Sequence, residues 1–142
     1  MLILDTNVIS ETMLPAPSPR VLMWWSQQRQ RDELFVTTIT VAEILYGIEL
    51  LSRGKRHSRL LAEAEAMIVQ DFAGHILPFD EEAARAFPQI AAGRRGQGRP
   101  ITEFDAQIAA IARSRRASLA TRNTADFEDC GVRLVNPWQP SE

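Results

Sequence analysis

Short apolar runs alternate along the chain with longer segments in which apolar residues recur every three or four positions. The strand-like runs comprise residues 1–4, 34–39, 75–79, 118–120 and 132–135. In the segments between these runs, the recurrence of apolar residues every three or four positions is typical of helices that bury one face. Strands that alternate with helices predict a mostly parallel central sheet flanked by helices, and therefore an α/β fold.

Helix boundaries are indicated by capping residues, prolines and glycines. We expect helices over residues 8–13, 19–31, 40–52, 57–72, 81–92 and 102–116. Asp80 is a favourable N-cap for the fifth of these helices. Glycines at positions 93, 96 and 98 predict a flexible, arginine-bearing loop that ends at Pro100.

Length and composition indicate a single domain that spans residues 1–142. The chain has 142 residues, of which 45% are hydrophobic and 24% charged, as in an ordinary globular core. No 18-residue window is apolar, and Asp5 interrupts the first apolar run, so we expect neither a membrane span nor a signal peptide. Cys130 is the single cysteine and cannot form an internal disulfide, which favours a cytoplasmic protein with an inert thiol.

The net charge of −2 does not by itself indicate a nucleic-acid-binding protein. All basic residues except Lys55 are arginines, and they cluster within residues 53–59, 94–99 and 113–116. Arginine presents a planar fork that suits phosphate and carboxylate groups. A GC-rich genome would also enrich arginine over lysine. The excess of arginine therefore has two possible explanations, phosphate binding and the base composition of the genome.

Four acidic residues occur where a parallel α/β sheet forms its ligand crevice. Asp5 follows the first strand, Glu43 lies just after the second, Asp105 is in the first turn of the last helix, and Asp126 lies in the loop after strand 118–120. Four converging carboxylates would repel one another, and a hard divalent cation such as Mg²⁺ or Mn²⁺ would relieve that repulsion. Carboxylates with such a cation can hydrolyse a phosphodiester.

The motifs that contain these acids resemble those of a known family. They are Leu4-Asp5-Thr6-Asn7, Val41-Ala42-Glu43 followed by Gly47, Asp105-Ala106-Gln107-Ile108-Ala109, and Thr121-Arg122-Asn123-Thr124-Ala125-Asp126-Phe127. Taken together and in this order, they resemble the PIN domain, and more closely the VapC and FitB ribonuclease toxins of bacterial toxin–antitoxin pairs. The segment Val135-Asn136-Pro137-Trp138 is similar to the FitB-like branch. The resemblance covers essentially the whole chain.

The resemblance implies a toxin that is a metal-dependent endoribonuclease. The catalytic, metal-binding residues would be Asp5, Glu43, Asp105 and Asp126, with direct or water-mediated ligation by Asp126 left open. They would hold one or two Mg²⁺ ions, with Mn²⁺ as a substitute. Water activated by the metal would attack phosphorus and leave a 5′-phosphate.

The resemblance also implies supporting residues and partners. Asn123 would support the metal site. Thr6 and Asn7 would either bond to the local backbone or orient Asp5 or a metal-bound water. A cognate antitoxin, usually DNA-binding, would fill the active-site groove, and the toxin would form homodimers and toxin–antitoxin hetero-oligomers. Trp24, Trp25 and the helices at 40–72 offer apolar surface for such contacts, although plain core packing explains each tryptophan equally well or better.

Each acid also has an ordinary structural explanation. Asp5 and Asp126 suit polar turns. Thr40-x-x-Glu43 matches a capping box, in which threonine and glutamate bond reciprocally to backbone amides. Thr102-x-x-Asp105 places an acid in a first helical turn, where the helix dipole favours it. However, the neighbours of Asp105 on its helix face are apolar, and an unpaired carboxylate there would be costly.

RNA contacts are expected from arginines near the acidic pocket in sequence. The candidates are Arg94, Arg95, Arg99 and Arg122. Single strands and loops are the RNA forms most readily read by proteins. His57 and His75 do not fit a site and are interpreted as structural or solvated.

Two other classes of protein with an aspartate after the first strand lack required residues here. A haloacid-dehalogenase-type phosphotransferase would need a second aspartate where this chain has Asn7, and a receiver domain would need a downstream lysine better placed than Lys55. A non-catalytic PIN-like nucleic-acid-binding module and a related metal-dependent DNA nuclease remain open.

Overall fold

The computed structural model describes residues 1–139 and contains a five-stranded sheet. Its strands are β1 (Leu2–Leu4), β2 (Leu34–Thr37), β3 (Ile76–Leu77), β4 (Ser118–Ala120) and β5 (Leu134–Val135). The strand order is β3-β2-β1-β4-β5, and every pairing is parallel. The prediction of an α/β fold with a mostly parallel sheet is therefore confirmed. Residues 140–142, which complete the expected domain, lie outside the described residues.

Helices connect and cover the strands. They are α1 (Thr6–Thr12), α2 (Pro19–Arg29), α3 (Thr38–Glu49), α4 (Lys55–Ala66), α5 (Glu81–Gly96) and α6 (Glu103–Ser114). A π-helical turn over Met67–Asp71 continues α4, and a 3₁₀ turn over Thr124–Phe127 follows β4. Within residues 1–139, no helix is long and apolar enough to cross a membrane.

Two apolar layers sandwich the sheet because successive strand residues point to opposite faces. Leu2 and Leu4 of β1 pack into the layer that is covered by the first four helices. Ile3, between them, packs into the layer beneath α5 and α6. All three side chains are buried, as expected for a parallel strand with helices on both faces.

The central strand β1 creates the crevice. The chain moves outward from β1 through β2 and β3 on one side, while β4 and β5 lie on the other. Ligands bind where the strand order reverses, beyond the carboxyl ends of the strands. Asp5 follows β1 at this point, and Thr121 follows the adjacent β4.

Two predicted boundaries differ from the structure in ways that affect the site. The second strand ends at Thr37, whose side chain caps α3, so this helix begins two residues earlier than expected. The expected loop from residue 93 is wrong, because α5 continues to Gly96. A glycine inside a helix costs only about 1 kcal/mol relative to alanine, and the buried hydrogen bonds of Arg94 stabilise the last turn.

Candidate active site

A pocket of about 350 Å³ opens at the carboxyl end of β1. It is lined by Asp5, Thr6, Asn7, Ser10, Glu43, Asp105 and Asn123. Three of the four predicted acids therefore share one pocket with the three predicted supporting residues. Asp126 is exposed on the adjacent 3₁₀ turn and does not line this pocket.

Asp5 is fixed at the bottom of the pocket by the start of α1. Its side chain is 5% exposed, and its Oδ1 accepts a hydrogen bond from the Thr6 amide at 2.8 Å, as an N-cap does. Its Oδ2 accepts bonds from the Thr121 hydroxyl at 2.7 Å and the Asn7 amide group at 3.2 Å. Both carboxylate oxygens therefore have fixed directions.

Glu43 enters the pocket from the second turn of α3, and its Oε1 accepts a hydrogen bond from the Thr6 hydroxyl at 2.9 Å. The Thr6 hydroxyl also lies 2.9 Å from that of Thr40. The expected alternative, a capping box between Thr40 and Glu43, is not formed, because the Thr40 amide bonds to Thr37, the actual N-cap. The Glu43 carboxylate is thus directed to the site and not to the helix end.

Asp105 lies both in the first turn of α6 and in the wall of the pocket. Its backbone amide donates to the Thr102 hydroxyl at 3.2 Å, which caps α6. Its half-buried carboxylate lines the pocket. Glu103, two residues earlier, is exposed and does not line it.

The acids hold protons more tightly than free carboxyl groups. Burial is the largest cause and raises the pKa of Asp5 from 3.8 to about 6. Burial also raises the pKa of Glu43 and that of Asp105. Repulsion adds to all three pKa shifts: Asp105 acts on Asp5 and Glu43, and Asp126 acts on Asp105, while the positive charge of Arg94 partly offsets the shift of Asp105. The pocket is a site of unbalanced negative charge.

Asn123 and Asp126 approach the pocket from the loop after β4. The Asn123 backbone amide donates to the Thr121 hydroxyl at 3.1 Å, and the Asp126 backbone amide donates to the Asn123 carbonyl at 3.0 Å. These bonds fix the backbone of the loop. Asn123 lines the pocket, and the exposed Asp126 carboxylate lies close enough to Asp105 to act on it through its charge.

The four predicted RNA-contacting arginines lie in different environments. Arg94 is buried, and its guanidinium donates to the carbonyls of Arg99, Asp126 and Glu128, so the expectation that it contacts RNA does not fit its position. Arg95 is exposed.

The remaining two arginines are partnered at the surface. Arg99 pairs with Glu128 and Asp129. Arg122 lies over the Trp138 ring at 5.1 Å, and its backbone amide donates to the Asn7 side chain at 3.2 Å. Arg122 is therefore the predicted arginine with a direct contact to a pocket residue.

Thr121 is the functional residue that the sequence pattern did not single out. Its fully buried hydroxyl donates to Asp5 and accepts from the side chain of Asn7 and the amide of Asn123. One hydroxyl thus joins both sides of the pocket. Its position directly after strand 118–120, opposite Asp5 across the crevice, is the signal that could have identified it.

The histidines and tryptophans named from the sequence lie elsewhere. His57 is buried beside Arg53, and His75 is paired with Glu33 at the surface. Neither histidine lines the acidic pocket. Trp24 and Trp25 are partly buried and pack against the apolar layer of the first four helices.

The donor set suits a hard cation, because carboxylate, hydroxyl and amide oxygens surround a pocket of excess negative charge. Within residues 1–139, however, no three acidic, histidine or cysteine side chains already stand in an arrangement that could hold a metal ion. The residues therefore fit a divalent cation by the chemistry of their oxygen donors.

Comparison with known proteins gives the family of the chain. Residues 2–131 match the model of the PIN domain family. The chain is 41% identical over 138 residues to Toxin FitB of Neisseria gonorrhoeae, covering 97% of this chain and 99% of that protein. It is 37% identical over 141 residues to VapC ribonuclease Y4jK of Sinorhizobium fredii, covering 99% and 100%.

A solved structure gives the same result for the fold. A chain of FitAB bound to the IR36 DNA fragment superposes with a TM-score of 0.92 and 39% identity, covering 100% of this chain and 99% of that chain. The similarity therefore includes every element that positions the pocket.

Proposed function

The chain belongs to the PIN domain family, among relatives named VapC ribonuclease and FitB toxin, and on this basis we propose that it is a ribonuclease toxin of a toxin–antitoxin pair. The observation that carries the proposal is the convergence of Asp5, Glu43 and Asp105 in one pocket. These carboxylates come from three separate elements, and their shared burial is unfavourable without a compensating cation.

Asp5, Glu43 and Asp105 would hold one or two Mg²⁺ or Mn²⁺ ions, with Asp126 contributing from the rim directly or through water. When bound, such a cation lowers the pKa of water and neutralises charge on phosphate oxygens. The chain itself supplies the orientation: Thr121 and Thr6 donate hydrogen bonds that fix the carboxylates of Asp5 and Glu43.

The RNA strand would cross the pocket beside Arg122, with Arg95 and Arg99 as further phosphate contacts. Arg122 is exposed and is connected to Asn7 through its backbone amide. Arg99 would have to leave its partners Glu128 and Asp129 to bind phosphate. Arg94 is left out of this set because it is buried.

The proposed partner is a cognate antitoxin with a DNA-binding part, in hetero-oligomers that also contain a toxin homodimer. Support comes from the similarity to FitAB, whose solved complex is bound to a DNA fragment. Large apolar side chains on α2, on α3 and at the C-cap of α3 are exposed and available for such contacts; they are Leu22, Met23, Tyr46 and Leu50.

The test is cleavage of a panel of single-stranded and structured RNAs by the purified protein with Mg²⁺, Mn²⁺ or EDTA. We expect metal-dependent products with 5′-phosphate ends, lost in Asp5→Asn and Asp105→Asn. Glu103→Gln is the matched control, because this acid lies two residues from Asp105 but is exposed outside the pocket.

Three outcomes would contradict the proposal. Cleavage that survives in both aspartate variants would place the activity elsewhere. Preferential cleavage of DNA would favour a DNA nuclease. Binding of RNA without cleavage, by folded protein with metal, would favour a non-catalytic module.

A further inference from the structure

Arg94 is a buried cation that joins two separate stretches of backbone. It lies in the last turn of α5 and is 6% exposed. Its Nε donates to the Arg99 carbonyl at 2.8 Å. One terminal nitrogen donates to the carbonyls of Asp126 at 2.7 Å and Glu128 at 3.2 Å. The guanidinium therefore connects the loop after α5 to the turn that carries Asp126.

The partners of Arg94 are unusual for a buried charge. Among residues 1–139 it forms no ion pair with a carboxylate. Its hydrogen bonds go instead to three backbone carbonyls and to the Cys130 sulfur, which lies 3.9 Å from a terminal nitrogen. A buried charge is costly unless it is well hydrogen-bonded. The planar fork of arginine meets several carbonyls in fixed directions, which the single ammonium of lysine does not.

The two carbonyls on the turn flank a buried anchor. Phe127 lies between Asp126 and Glu128 and is 1% exposed in the apolar layer beneath α5 and α6. Packing of Phe127 holds the turn against the core, and the hydrogen bonds from Arg94 to the carbonyls on either side of Phe127 hold its backbone there.

We propose that Arg94 is a positioning residue for the acidic pocket. Its guanidinium fixes the turn so that Asp126 and Asn123 face Asp105, and it acts through these residues without touching substrate. This inference rests on the proposed function, because it assigns Arg94 a role in assembling the proposed metal site.

The test is Mn²⁺ affinity, measured by calorimetry on purified protein, with RNA cleavage kinetics in parallel. Arg94→Met removes the charge and the donors, and Arg94→Lys keeps the charge but not the fork. We expect Mn²⁺ affinity and kcat to fall about 10–100-fold in both, which is the usual effect of losing a group that orients metal ligands. KM for RNA should change little, because Arg94 does not reach the surface.

Two controls come from the same helix. Ile90→Ala truncates a buried side chain one turn earlier and lowers stability without removing a hydrogen bond to the turn at 124–127. Arg85→Met removes an exposed arginine that is paired with Glu81. Both should retain wild-type Mn²⁺ affinity.

Wild-type Mn²⁺ affinity in folded Arg94→Lys would overturn the inference. An equal loss of affinity in Ile90→Ala would also overturn it, because the effect would then be general destabilisation. If Arg94→Met does not fold, Arg94→Lys decides the matter. Failure of the wild-type protein itself to bind Mn²⁺ would instead show that the proposed metal site is wrong.

Discussion

The two sides of the acidic pocket are held in place by different kinds of contact. On the inner side, Asp5 and Glu43 are bound directly by side-chain hydroxyls from Thr121 and Thr6. On the outer side, Asn123 and Asp126 lie on an exposed loop whose backbone is bonded while the carboxylate faces solvent. On the inner side, hydrogen bonds fix the carboxylate oxygens themselves. On the outer side, hydrogen bonds fix only the backbone of the loop that carries the side chains. The inner side should therefore be more sensitive to single substitutions.

The largest expected difference between the two sides is the loss of RNA cleavage when an acid is neutralised. Asp5→Asn should reduce RNA cleavage by more than about a hundredfold, exceeding the usual loss for groups that merely orient ligands. Asp126→Asn should cost about tenfold, because this exposed side chain acts from the rim. Single-turnover cleavage at saturating Mg²⁺ measures both. Equal losses in the two variants would remove the distinction between the sides.

Thr121→Val tests whether the hydroxyl that holds Asp5 on the inner side is needed for activity. The change keeps the shape of the side chain but removes the shortest hydrogen bond to Asp5 and the acceptor that the Asn7 side chain and the Asn123 amide share. Cleavage should fall about 10–100-fold. Thr121→Ser, which keeps the hydroxyl, should retain most of the activity. Comparable losses in both variants would point to packing as the cause.

The next effect is on stability and depends on pH. The pKa of Asp5 is about 6 in the folded protein and 3.8 as an ordinary aspartate. Between about pH 4 and about pH 6, Asp5 of the folded state retains a proton that the unfolded state releases. The stability that this bound proton contributes is therefore complete below about pH 4 and is lost as the pH rises through about 6. Without metal, Asp5→Asn should therefore be more stable than wild type by about 1–3 kcal/mol at pH 7.

Urea unfolding in EDTA from about pH 4 to about pH 8 checks this prediction. The stability difference between Asp5→Asn and wild type should grow from about pH 4 to about pH 6 and then level off. Glu103→Gln serves as the control for loss of an exposed acid. A difference that stays constant with pH would show that Asp5 is not the titrating group.

The sequence could predict the fold and the position of Asp5 because their signals are local, whereas the site roles of Asp5 and Glu43 come from the resemblance to the PIN domain. The apolar run before Asp5 specifies a buried strand, and the carboxyl ends of parallel strands meet at one edge. The hydrogen bonds of the threonine hydroxyls are harder to predict from the sequence. Thr40 looked like the cap of α3, but the cap is Thr37, and a shift of a few residues in a helix start changes which hydroxyl faces the pocket.

The position of Arg94 could not be predicted from the pattern around it. Nearby glycines indicated a loop, and proximity in sequence to α6 suggested an RNA contact. Beyond the nearby Arg99 carbonyl, its partners lie 32 and 34 residues away, at Asp126 and Glu128. Such distant backbone acceptors leave no periodic signal, so only the folded structure distinguishes a buried arginine from an exposed one.

The smallest expected effect is that of Arg99→Met on the outer side. Arg99 bonds to Glu128 and Asp129 at the surface, next to the carbonyls that Arg94 holds from within. Exposed ion pairs contribute about 0–1 kcal/mol because water and salt screen them. Arg99→Met should therefore leave the free energy of unfolding almost unchanged, measured by urea titration at low and high salt. A larger, salt-insensitive loss would mean that the outer side is held from its surface and not by the buried arginine.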